Sequence, residues 1–90
     1  MPTIFNAFGY KIYIWSNENG EPIHVHICRG APSANATKVW LTKSGGTVVC
    51  HNKSRISEKD LSKLRMLIQA NYMAIQSIWV TRFGYLTYYC

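Results

Sequence analysis

The stretch Ile23-His24-Val25-His26-Ile27-Cys28 alternates a β-branched residue with a histidine or cysteine at every second position. An extended chain sends successive side chains to opposite faces, so Ile23, Val25 and Ile27 share one face and His24, His26 and Cys28 share the other. That is the pattern of a strand with one apolar side, and an apolar side needs a cover.

Working outward, Tyr10-Lys11-Ile12-Tyr13-Ile14-Trp15 is rich in β-branched and aromatic residues and reads as a strand. The apolar opening from Pro2 to Phe8 ends at Gly9 and predicts a short strand or cover. Ser16 to Pro22 collects turn formers, with Asn19-Gly20 supplying the positive φ of a tight hairpin. Beyond Cys28, Gly30 to Asn35 is a loop by composition, Lys38 to Thr42 a strand, Ser44-Gly45-Gly46 a turn and Thr47 to Cys50 a further strand.

At Ser57 the period changes. Ser57-Glu58-Lys59-Asp60 is a helix-capping signal, with a hydroxyl to accept from an early N–H and acids at the positive end of the dipole. Leu61, Leu64, Ile68, Tyr72, Ile75 and Trp79 follow at three- and four-residue spacing, and Gly84 is a C-cap residue. The spacing predicts one helix of about 25 residues lying across the sheet and supplying half the core. The expected fold is α+β: an antiparallel meander of about four strands packed against one long C-terminal helix, a two-layer sandwich forming a single domain over residues 1–90. The aromatic tail Tyr85-Leu86-Thr87-Tyr88-Tyr89-Cys90 either returns as an added strand or is an interaction surface.

Composition narrows the class. A hydrophobic fraction of 48% with 16% charged residues belongs to a folded chain and excludes a disordered one. Ten Lys and Arg stand against four Asp and Glu, a formal charge of +6. The excess is even: residues 1–53 and residues 54–90 each carry five basic and two acidic side chains. Such a surface attracts phosphate backbones or acidic protein faces without specifying a sequence. Met1-Pro2-Thr3 lacks a basic n-region and apolar h-region, and no apolar run approaches the roughly 18 residues of a membrane span. Three cysteines, Cys28, Cys50 and Cys90, lack framework spacing, so the expectation is a cytoplasmic protein with reduced thiols and no membrane.

Chemistry centres on His24 and His26, expected about 7 Å apart on the open sheet face. One reading is metal, with Cys28 or Cys50-His51 completing a tetrahedron; the spacing matches no closed zinc pattern, so no metal and no cofactor are expected. A second is acid–base cleavage of RNA without metal, with His24 and His26 as acid and base and Arg29, Lys38 and Lys43 steadying the phosphorane. A third makes the histidines sheet-face residues that bind a partner or cover the strand. Candidate binding residues are Arg29, Lys38, Trp40, Lys43 and His51, with Trp40, Tyr13 and Trp15 able to stack on bases. Lys59 and Lys63 read as a solvated helix face, and Cys28 and Cys50 as small buried hydrophobes.

Met1-Pro2-Thr3-Ile4-Phe5, Phe8-Gly9-Tyr10, Ser16-Asn17-Glu18, Glu21-Pro22-Ile23-His24-Val25-His26, Lys38-Val39-Trp40-Leu41 and Arg55-Ile56-Ser57 together carry a resemblance. The chain resembles the bacterial family known as domain of unknown function 4160 (DUF4160), through Trp79 and Phe83-Gly84. The resemblance implies a small protein of bacteria or mobile elements associated with toxin–antitoxin systems, with His24 and His26 at the family's His-x-His. Glu21-Pro22-Ile23 stands where many members carry a second proline. Residues 85–90 extend past the usual end, and the helix after Ile68 is thinned of Lys and Glu. The expected function is a small basic binding protein of such a system, contacting nucleic acid or an acidic, nucleic-acid-binding protein, as a homodimer or in a partner heterocomplex. The alternatives are a metal-independent RNase toxin and a phage-type, anti-CRISPR-like inhibitor docking on a host defence complex.

Overall fold

The computed structural model of the chain describes residues 3–15, 20–32 and 34–90. Five strands come first: β1 (Thr3–Ala7), β2 (Tyr10–Tyr13), β3 (His24–Arg29), β4 (Thr37–Leu41) and β5 (Thr47–His51). Their order in the sheet is their order in the chain, and each pairs antiparallel with the next. Two helices follow, α1 (Glu58–Ala70) and α2 (Tyr72–Phe83). The antiparallel meander with a helical layer is therefore the architecture that the alternation and the change of period predict.

Two counts differ from expectation, each for a local reason. The opening segment pairs along β2 as a full strand, so there are five strands rather than about four. The partners Ala7 and Tyr10 leave Phe8-Gly9 as a two-residue loop, and φ values of 55° and 83° match the double left-handed geometry that suits the strand twist. The single long helix is interrupted at Asn71 (φ −113°, ψ 22°), whose side-chain amide donates to the Leu67 carbonyl at 2.9 Å. An amide bonding to the carbonyl four residues back competes with the ladder and marks the break. Of the turn expected over Ser16–Pro22, Ser16 to Asn19 lie outside the described residues, as do Met1, Pro2 and Ser33, while Gly20 takes the expected positive φ of 93°.

The core lies between sheet and helices. Ile12, Val25, Ile27, Val39 and Leu41 from the sheet meet Leu64, Ile68, Ile75 and Trp79 from α1 and α2, all fully buried. Ser57 caps α1 through its Oγ, which accepts from the Asp60 N–H at 3.2 Å. Gly84, in the left-handed conformation at φ 77°, ends α2.

The tail after Gly84 returns to the sheet without forming a strand. The Ile23 N–H donates to the Thr87 carbonyl and the Lys43 N–H to the Cys90 carbonyl, both at 2.9 Å. The Tyr85 hydroxyl donates to the Glu21 carbonyl at 2.8 Å, and the Gln76 amide donates to the Tyr88 hydroxyl at 2.5 Å. Residues 85–90 thus make a strap across the end of the sheet, and Tyr89 reaches Trp40.

Candidate nucleic-acid interface

Strand pairing sets His24 opposite Trp40, and His26 opposite Tyr13 on one side and Lys38 on the other. His26 is on the face opposite Val25 and Ile27, as alternation requires, whereas His24, at the end of β3, reaches the helical layer and touches Trp79 instead of facing away from it. Neither ring is open: His24 is fully buried and His26 is 8% exposed. The correction has a plain physical cause, since imidazole is a flat amphipathic ring and its cross-strand neighbours are aromatic. His26 stacks on Tyr13 at 5.5 Å between centroids and meets the edge of Trp15 at 6.3 Å. His24 makes edge contacts with Trp40 and with Trp79 of α2, both at 5.3 Å. The two imidazoles come within 5.0 Å of each other, closer than an even strand spacing suggests.

His24 Nδ1 is 2.8 Å from the Pro22 carbonyl oxygen. A carbonyl only accepts, so Nδ1 carries the proton. Cys28 continues the row, its thiol donating to the Gly30 carbonyl at 3.5 Å, and burial pushes its ionisation up. Among the described residues no group of three His, Cys, Asp or Glu is placed to hold a metal ion. Cys50, expected to be buried, is exposed.

The basic residues expected beside the histidines are divided by the structure. Lys38 is close to them but engaged: its ammonium is 2.7 Å from Glu21 Oε1 and 4.4 Å from the centre of the Trp40 ring. His51 pairs with Lys38 across the strands, and burial, then Lys53 and Lys38, push its pKa below the ordinary imidazole value. Lys43 is exposed in the β4–β5 turn. Arg29 belongs to the other side of the sheet, because it pairs with Tyr10, which faces the helices.

On that other side the structure gathers cations that the sequence leaves scattered. The Arg29 guanidinium donates to the Tyr10 hydroxyl at 2.7 Å and lies 3.8 Å from Asp60 Oδ2, while its side chain remains 70% exposed. Tyr10 in turn donates to Asp60 at 2.8 Å, tying β2 and β3 to the first turn of α1. From the same helix, Lys59 and Lys63 are exposed, and the Lys63 ammonium is 5.5 Å from the centre of the Phe8 ring. Phe8 is 60% exposed.

The loop leading into α1 adds two more cations on a braced backbone. Asn52 Oδ1 accepts from the Ile56 N–H at 3.0 Å and from the Thr37 hydroxyl at 2.6 Å, and its Nδ2 donates to the Ile56 carbonyl at 2.8 Å. Inside this clamp Arg55 is held at φ 57° with its side chain exposed, next to exposed Lys53. Phe8 and Arg55 are thus two bulky, exposed residues in left-handed backbone, both flanking α1. Strain of this kind persists where surrounding contacts over-determine it, and it clusters at functional sites. Neither position is legible in the sequence as special, because a left-handed Arg or Phe has no residue-type signature.

No curated protein and no solved structure matches the chain. The family model described as "Domain of unknown function (DUF4160)" matches residues 9–80. That span holds β2 to β5, α1 and most of α2, with His24, His26, Trp40 and the Asn52–Arg55 loop, and it stops before the strap. Four-fifths of the chain lies within the match, and the chain belongs to the DUF4160 family.

Proposed function

We propose that the chain is a small basic binding protein of a bacterial toxin–antitoxin-like or mobile-element system, and that it contacts single-stranded nucleic acid. The surface assigned to this contact flanks the N-terminal half of α1: Arg29, Arg55, Lys59 and Lys63, with the exposed ring of Phe8. Cations track a phosphate backbone, and an exposed aromatic ring stacks on a base without regard to its identity. The observation that carries the reading is the pairing of exposed Phe8, held at φ 55°, with the Lys63 ammonium 5.5 Å from its ring. A large apolar ring at a strained and solvated turn does nothing for the core.

Acid–base cleavage by His24 and His26 has less support. A general acid must come within about 3 Å of the reacting oxygen, directly or through one water. Rings that are 0% and 8% exposed do not offer a phosphodiester that approach.

Fluorescence anisotropy with a labelled ten-nucleotide uridine strand tests the surface. Lys63→Glu is expected to weaken binding about tenfold, charge reversal at a phosphate contact being both lost attraction and new repulsion. Arg82→Glu, which changes net charge equally at the far end of α2, is the control. Equal losses in both variants would show an effect of net charge alone and overturn the assigned surface.

A further inference from the structure

We propose that the end of the strap, Tyr89–Cys90, is an autoinhibitory cover, and that Tyr89 occupies a base-stacking site on Trp40 that opens when these two residues lift. The site lies across the sheet from the α1 surface and goes beyond it; its ligand class, a single-stranded nucleotide, rests on the reading given above.

The Tyr89 ring lies on Trp40 with centroids 5.0 Å apart and planes 6° from parallel. Most of the other ring contacts of this face are edge-on, at 67° to 89°. A parallel stack is the geometry a nucleobase adopts on an indole. Tyr89 itself is 59% exposed, so its placement buries little of its own ring. Its effect is on Trp40.

The surroundings of Trp40 suit a nucleotide. The Lys38 ammonium lies over the Trp40 ring, 4.4 Å from its centre, and is held there by Glu21 at 2.7 Å, which sets a cation against the stacking indole. Exposed Lys43 follows in the β4–β5 turn, and its backbone N–H is the group that fixes the end of the strap. A ring paired with adjacent cations provides for both a base and its phosphate.

Only the end of the strap is lightly held. Tyr85, Leu86 and Tyr88 pack against the core and stay in place, whereas among the described residues the backbone of Tyr89–Cys90 is tied to the sheet by the bond from the Lys43 N–H to the Cys90 carbonyl. The strap lies outside the residues that match the family, whereas Lys38 and Trp40 lie inside them. The end of the strap thus lies over a surface of the matched residues. Its single aromatic plug does to Trp40 what a ligand base would do.

The test is a double-mutant cycle in the full chain, read by anisotropy with the labelled uridine decamer. Tyr89→Ala is expected to tighten binding about fivefold or more, since a base then takes the vacated stack. In Tyr89→Ala/Trp40→Leu that gain is expected to vanish, with near-ultraviolet circular dichroism confirming that both variants remain folded. Equal or weaker binding by Tyr89→Ala, or a gain that persists without Trp40, overturns the strap as a cover. The outcomes separate the two proposals. Binding by the wild type with no gain in Tyr89→Ala rejects the strap alone. Binding by Tyr89→Ala with none by the wild type rejects the α1 surface alone, and no binding by either rejects both.

Discussion

Arg55 sits at φ 57° because Asn52 clamps the loop around it, and that conformation disfavours any side chain with a Cβ. Glycine adopts it freely. Arg55→Gly is therefore expected to raise stability by about 0.5–1 kcal/mol in urea unfolding. The same change is expected to weaken nucleic-acid binding severalfold. Opposite signs in the two measurements are the mark of strain retained for a surface role, and a variant that loses both stability and binding would speak against it.

His51 sets a pH dependence of its own. Its folded-state pKa lies below the ordinary 6.5, chiefly through burial and then through Lys53 and Lys38. Between the folded value and 6.5 the unfolded chain binds more protons than the folded one, so stability rises with pH through that window and is highest above it. His51→Gln should flatten the slope of unfolding free energy just below pH 6.5, and an unchanged slope would reject the assignment. Cys28 acts at the other end. Burial raises its pKa above 9.0, so the unfolded thiol ionises first and stability falls as pH passes 9.

Elements show what the sequence makes legible. The alternation of residues 23–28 and the switch of period at Ser57 are repeated signals, and a repeated signal survives one misread residue. They suffice for the antiparallel meander and its helical layer. The break at Asn71 rests on one amide, and a single polar residue in a helical pattern more often points to solvent. The burial of the histidines was not legible either. Alternation gives the face of His26 but not the reach of His24 to Trp79, and only register shows that Tyr13, Trp40 and Lys38 stand opposite them. The candidate site was the least legible of all, since it joins the turn at Phe8, Arg29 of β3 and one face of α1 through contacts far apart in sequence.

The same elements carry two predictions. Ser57→Ala removes the hydroxyl that accepts from Asp60 N–H and is expected to destabilise the chain by about 1 kcal/mol. Trp79→Ala empties the centre of the core, where the ring touches His24, Phe83 and Tyr85. It is expected to cost about 3–5 kcal/mol, a large fraction of the total stability of a small domain. Chemical denaturation of each variant checks both values, and a smaller loss for Trp79→Ala than for Ser57→Ala would contradict this account of the core.

At the scale of the whole molecule, a chain of ninety residues carries a formal charge of +6. Among the described residues its recorded ion pairs are Arg29 with Asp60 and Lys38 with Glu21. No helix among them is long and apolar enough to cross a membrane. Around α1, Arg55, Lys59 and Lys63 are exposed beside Arg29, which is shared with Asp60, and the central proposal is that together they contact a phosphate backbone. Counterion release gives the most direct measurement: the affinity for the uridine decamer across a series of salt concentrations. With about four phosphates neutralised, log K is expected to fall linearly with log salt at a slope near −3, about −0.7 per contact. A slope near zero, or no binding at about 50 mM salt, where such contacts are strong, would contradict the account.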